Sequence, residues 1–175
     1  MENQLVKQAK KGDKHAFEEL ILLYHKDLYK IAKVRLITEE DINDAIQETI
    51  ISAYQSINSL HNISKFKSWL IKILVNKTNE IYRKKKVENN ISFESIEADK
   101  YVTQTYDIES DLEFYNIIEC LNIDERTILI LYYVEGYKLK EISKILHINS
   151  NTVRSKLLRS KKKIKNNIKE IFEYE

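Results

Sequence analysis

Between Lys14 and Leu36 the apolar residues Phe17, Leu20, Ile21, Tyr24, Leu28, Ile31 and Val34 recur at three- and four-residue steps. That is the period of a helix that buries one side. A shorter helix over residues 2–11 precedes it and stops at Gly12. Thr38, with Asp41 three residues on, opens a third helix through "EEDINDAIQETIISAYQSI" with a weak capping box. Ser64 opens a fourth, "KFKSWLIKILVNKTNEIYRKKK", and the four are expected to pack around Trp69, Ile73, Ile46, Ile50 and Tyr54. Over residues 87–110 the period fails, and this polar stretch reads as a linker. Four more helices follow. The first covers 111–120, and the second, "DERTILILYYVE", is capped by Asn122 with Glu125 and ended by Gly136. The third is "LKEISKIL", and after a turn at His147 and Ile148 the last begins near Asn149. The pattern predicts an all-α protein of two small helical domains. An N-terminal helical bundle covers 1–86 and a C-terminal helix-turn-helix domain covers 111–175, joined by an acidic linker over 87–110.

Composition strengthens this reading. Proline is absent and glycine occurs twice in 175 residues, so little breaks a helix. Hydrophobic residues at 43% and charged residues at 32% suit a soluble globular chain. No run of about 18 uncharged apolar residues could span a bilayer, and "MENQLVKQAKKGD" lacks the apolar core of a signal peptide. The single Cys120 excludes an internal disulfide framework, and its apolar neighbours suggest a buried thiol. A cytoplasmic protein is expected. The net charge of +2 conceals a segmentation. Residues 1–86 hold 16 Lys/Arg against 11 Asp/Glu, residues 87–111 hold 1 against 7, and residues 112–175 hold 12 against 9. Two basic segments flanking an acidic one point to polyanionic partners.

The most basic stretch, "NSNTVRSKLLRSKKKIK", is also amphipathic: Val153, Leu157, Ser160 and Ile164 form an inward stripe. With Ile142, Ile145 and Leu146 of the preceding helix and Ile148 in the turn, it reads as a helix-turn-helix. The outward face then carries Asn151, Arg154, Ser155, Leu158 and Arg159. A helix fits the DNA major groove, where Arg bonds guanine bidentately. The lysines from Lys161 to Lys165 would follow the phosphates. The bland alternative, a solvated lysine-rich helix, does not account for the turn spacing.

Two further stretches stay ambiguous on residues alone. "DINDAIQETI" sets Asp41, Asp44 and Glu48 on one helical face with Gln47 beside them. The face could bind a metal, dock a basic protein, or simply be solvated. No histidine at ligand spacing supports the metal. "FKSWLIKILVNKTNEIYRKKK" combines an apolar stripe with Lys72, Asn76, Lys77, Asn79, Arg83 and Lys84. Basic residues beside aromatics suit melted DNA, but a core helix with a basic end explains the pattern equally well. Trp69 reads as core. His15, His25, His61 and His147 show no ligand spacing.

Taken together, the three stretches resemble, in order, motifs of the small two-domain extracytoplasmic-function (ECF) sigma factors of bacterial RNA polymerase, within the sigma-70 family. The resemblance covers roughly residues 10–86 and 111–168. "DINDAIQETI" is similar to the family's helix that binds the clamp helices of the largest polymerase subunit, which implies core-binding roles for Asp44, Gln47 and Glu48. "FKSWLIKILVNKTNEIYRKKK" resembles the helix that melts and reads the −10 element, implying roles there for Asn76, Lys77, Glu80, Arg83 and Lys84. "YKLKEISKILHINSNTVRSKLLRSKKKI" resembles the −35-reading helix-turn-helix. By that resemblance Asn151, Arg154, Ser155, Leu158 and Arg159 approach base edges, while Lys156 and Lys161 approach phosphates. Five positions depart from the family pattern. His147 stands where Gly is usual in the turn, Lys138 replaces a Ser/Thr cap, Asn122 a Pro, and Val75 and Glu80 an Arg and an Asp.

The resemblance implies a promoter-specificity subunit that catalyses nothing. Its expected partners are core RNA polymerase, promoter DNA and an anti-sigma factor, with no small-molecule substrate, cofactor or metal. A stand-alone helix-turn-helix regulator would explain residues 138–165 but leave the two earlier motifs idle. A metal-dependent nuclease built on Asp41, Asp44 and Glu48 is the remaining alternative.

Overall fold

Side-chain acceptors begin several of the helices, and left-handed residues end others. Asp13 accepts from the Ala16 N–H at 3.1 Å and opens α2, Lys14–Lys33. Gly12, at φ +95, separates α2 from α1, Glu2–Lys10. Thr38 accepts from the Asp41 N–H at 3.2 Å and opens α3, Glu39–Ser56. Two short 3-10 turns, Ile57–Ser59 and Ile63–Lys65, lead into α4, Phe66–Asn89. Beyond it come α5 (Glu109–Ile118), α6 (Ile123–Leu129) continuing as a π turn (Ile130–Val134), α7 (Leu139–Leu146) and α8 (Ser150–Glu173). This computed structural model describes residues 1–89 and 109–173, with side chains over 1–85 and 114–168. Among the described residues there are eight α-helices and no strand. The expected linker falls mostly on residues 90–108, outside the described residues. The chain divides into two compact bodies, Met1–Glu88 and Asn89–Glu175.

In the first body α1 lies along α2 and α2 packs on α3. The core holds Leu20, Leu28, Ile31, Ile42, Phe66, Leu70 and Leu74, all buried. Each contributes about 1.5–3 kcal/mol relative to exposure. Of the five residues expected at the centre, only Ile46 is fully buried, while Ile50, Trp69 and Ile73 are half-buried and Tyr54 is 42% exposed. The first ten residues of α4 are apolar on nearly every side, so periodicity could not choose its inward face. Packing chose Phe66, Leu70, Leu74 and Val75. Tyr54 instead meets Phe17 edge-on at 5.2 Å, and Trp69 flanks Phe66 at 5.8 Å. The start of α4 also differs from expectation. Asn62, not Ser64, supplies the acceptor, taking the Ser64 N–H at 3.0 Å and starting a 3-10 turn before the α-helix. At the other end of its range α2 stops at Lys33, where the Arg35 and Leu36 N–H groups share the Ala32 carbonyl.

In the second body Asn122 and Glu125 form the expected capping box, with bonds of 2.9 and 3.2 Å. The π turn buries Ile130 and Leu131 and turns Tyr132, Tyr133 and Val134 outward before Gly136 at φ +71. The helix-turn-helix closes on Ile142, Ile145, Val153 and Leu157, all buried, whereas Leu146 and Ile148 are half-buried. His147 adopts φ 54, ψ 35, the left-handed conformation that usually calls for glycine. Lys138 gives α7 no side-chain cap; Glu141 reaches back to accept its N–H at 3.2 Å. Cys120 is exposed rather than buried, its thiol directed at the Ile117 carbonyl at 3.5 Å.

Candidate nucleic-acid interface

The inward stripe of α8 is seated: Val153, Leu157 and Ser160 are buried, and the Ser160 hydroxyl donates to the Lys156 carbonyl at 2.8 Å. The opposite side is open. Asn151, Arg154, Ser155, Leu158 and Arg159 are all exposed, with Leu158 at 61%. Asn149 accepts the Asn151 N–H at 2.8 Å and sets the first turn of the helix. An exposed row of two guanidiniums, two small polar groups and an apolar tip can hydrogen-bond base edges and touch a thymine methyl.

The lysines of α8 divide. Lys162 and Lys165 are exposed. Lys161 lies over the Tyr133 ring, 5.3 Å from its centroid, and Tyr133 meets Tyr132 edge-on at 4.9 Å. Hydrogen bonding with Tyr133 raises the Lys161 pKa above the ordinary lysine value. Lys156 and Lys163 turn the other way. Lys156 donates to Asp124 at 2.8 Å and Lys163 to Glu125 at 2.8 Å, both acids lying in the first turn of α6. The expectation that Lys156 faces phosphates therefore meets a side chain only 20% exposed and already paired.

In the first body Asn76, Glu80, Arg83 and Lys84 are exposed on one face of α4. Lys77 is 22% exposed and held between Glu48 at 3.6 Å and Glu80 at 3.4 Å. Val75, where the resembling family carries Arg, is 2% exposed and belongs to the core. A buried polar link with no local sequence signature fixes this helix. Arg35, 6% exposed, donates to the Thr78 hydroxyl at 2.7 Å and to Asn79 at 2.6 Å. Thr78 passes the bond on to the Val75 carbonyl at 2.9 Å. Arginine in a loop after α2 reads as surface; only the tertiary contact with α4 buries it.

The outer face of α3 presents Asp44, Gln47 and Glu48, all exposed, above a back stripe of Ile42, Ala45, Ile46, Thr49 and Ala53. Ile51, 50% exposed, continues the same face. Asp41 does not join it: its carboxylate accepts from the Thr38 hydroxyl at 2.6 Å and pairs with Lys85 of α4. The acidic trio is thus split, and among the described residues no three His, Cys, Asp or Glu side chains are grouped to hold a metal. No helix among the described residues is long and apolar enough to cross a membrane.

Comparison with known proteins matches both bodies. The family model "Sigma-70 region 2" matches residues 20–87, and "Sigma-70, region 4" matches residues 111–164. The chain is 30% identical over 177 residues to the ECF RNA polymerase sigma-E factor of Haemophilus influenzae, covering 94% of this chain and 93% of that one. It is 29% identical over 181 residues to the ECF RNA polymerase sigma factor SigW of Bacillus subtilis, covering 95% and 96%. Its fold is similar to that of the sigma factor RpoE of Bartonella quintana, solved in complex with the anti-sigma factor NepR. That likeness has a TM-score of 0.74 at 22% identity, over 87% of this chain and 96% of that one.

Proposed function

The chain belongs to the ECF group of the sigma-70 family and is an RNA polymerase sigma factor; from that premise we propose how its exposed faces divide the work of initiation. Asp44, Gln47 and Glu48 on α3 dock the clamp helices of the core polymerase's largest subunit. Their exposure over a buried back stripe supports this reading. Asn76, Glu80, Arg83 and Lys84 on α4, with Lys77 at the edge, meet the −10 element as it melts. Bases unstacked there need phosphate neutralisation and a polar surface. Asn151, Arg154, Ser155, Leu158 and Arg159 on α8 read the −35 element in the major groove, with Lys161 and Lys162 beside phosphates.

Residues 1–86 then form the core-binding and −10 domain, and residues 111–175 the −35 domain. The reaction chemistry belongs to the polymerase, so the chain is not an enzyme, and it works in the cytoplasm where polymerase and promoter are. The Bartonella sigma factor is bound by an anti-sigma factor, which supports an anti-sigma partner here as well.

The observation that carries the proposal is the outward set on α8, opposite a stripe in which Val153, Leu157 and Ser160 are buried and Ile164 is half-buried. Run-off transcription with core polymerase on a library of AT-rich promoters tests it. New sequence-selective transcripts that require this protein are expected. Duplex binding without any transcript would return the chain to the stand-alone regulator reading.

A further inference from the structure

The seven basic residues between Arg154 and Lys165 look interchangeable in sequence, yet two of them, Lys156 and Lys163, pair with acids of α6. Arg154, Leu158, Lys161 and Lys165 form one exposed row, and Asn151, Ser155, Arg159 and Lys162 form the next. Val153, Leu157 and Ser160 form the buried row. At about 100° per residue, Lys156 lies roughly 60° from Val153 on the side away from Arg154. Lys163, two turns on, lies on the same flank. Both flank positions meet adjacent acids of one helical turn: Asp124 with Lys156, and Glu125 with Lys163, each at 2.8 Å.

We propose that Lys156 and Lys163 are positioning residues: with Asp124 and Glu125 they pin the flank of α8 to the first turn of α6, and neither contacts DNA phosphate. The proposal rests on the reading of α8 as the −35 helix. Two contacts two turns apart fix both the rotation of α8 about its axis and its tilt, which aim Arg154 and Arg159. The Glu125 pair constrains most. Its carboxylate is 4% exposed and also closes the capping box with the Asn122 N–H. Lys163 itself is 47% exposed, but were it to leave for a phosphate, a buried carboxylate would lose its cation, an unfavourable exchange. The Asp124 pair is more open, with Asp124 at 50% exposure, and it sets orientation more than stability. Both acids also sit at the N-terminal turn of α6, where the helix dipole favours negative charge.

The test compares holoenzyme binding to a −35 promoter over a salt series. Each phosphate contact contributes about 0.9 to the slope of log affinity against log salt. Lys162→Ala is expected to lower the slope by about that amount, while Lys156→Met and Lys163→Met leave it unchanged. Lys163→Met is expected to weaken binding, and adding Glu125→Gln is expected to restore it. Glutamine keeps the cap acceptor and removes the stranded charge, whereas a lost phosphate contact could not be recovered that way. Thermal unfolding of the same variants should fall and recover in parallel. Should Lys163→Met prove unfolded, the double variant Lys163→Met with Glu125→Gln replaces it and should bind with wild-type slope. A slope reduced by Lys156→Met or Lys163→Met as much as by Lys162→Ala, with no rescue by Glu125→Gln, overturns the proposal. If the wild-type holoenzyme shows no −35-dependent binding at all, the reading of α8 itself fails, and the proposal with it.

Discussion

Arg154 and Arg159 stand exposed on α8, on positions outside the buried stripe of Val153, Leu157 and Ser160. Replacing either with Ala should weaken promoter binding by about 1–3 kcal/mol and relax the preference at one −35 position, read by competition among single-base promoter variants. An equal loss on every variant would mark a phosphate contact instead. Cys120 makes a different kind of prediction. Partial burial is the largest influence on its thiol and pushes its pKa above the ordinary value. Less thiolate is then present at neutral pH than in a free cysteine, so alkylation should be slow despite exposure and accelerate only at higher pH. Alkylation at the rate of an unhindered peptide thiol at pH 7 would refute this. The apolar neighbours that suggested a buried Cys120 were a poor guide, because its place past the end of α5 is a matter of chain path.

At the scale of elements, the turn between α7 and α8 holds a non-glycine residue in left-handed backbone, His147 at φ 54. That conformation costs an L-residue about 1–2 kcal/mol, of which glycine's larger unfolded-state entropy takes back part. His147→Gly should therefore stabilise the second body by about 0.5–1 kcal/mol in urea unfolding, and His147→Val should destabilise it. If His147→Gly is less stable, the imidazole makes a contact that matters. The junction after α2 is the second case. Arg35→Met removes two charged hydrogen bonds to Thr78 and Asn79 and should cost the first body about 2–4 kcal/mol. Since Thr78 and Asn79 neighbour Asn76 and Lys77, that loss should come with weaker −10 discrimination. The helix caps at Thr38 and Asn122 were legible, because capping is written in three or four consecutive residues. The Arg35 link spans more than forty positions and was not.

For the molecule as a whole, the separate faces predict separable defects. Gln47→Ala with Glu48→Ala should abolish co-purification with core polymerase, and transcription with it. Arg159→Ala should keep polymerase association and lose promoter choice. Equal loss of association in both would mean that α8 also docks core. Glu48 carries a complication, since it pairs with Lys77 of the −10 face at 3.6 Å, so the two surfaces of the first body are adjacent. The pair is long and its carboxylate is 57% exposed, though Lys77 is only 22% exposed, and such partly solvated pairs contribute about 0–1 kcal/mol. Its removal should leave stability nearly unchanged.

The sequence by itself determined the all-α class, the order of the helices, the helix-turn-helix with its outward set, and the resemblance that the family matches bear out. These follow from periods of three and four residues, from local caps and from motifs, all of which are short-range. Only the tertiary structure decided which side of α4 turns inward. It alone placed Val75 in the core, drew Asp41 out of the acidic face to Lys85, buried Arg35, and paired Lys156 and Lys163 with Asp124 and Glu125 of α6. A helical period gives the faces of a helix without saying what lies against each one. The partner of a long charged side chain is set by which helix packs beside it, and that depends on residues far away along the chain.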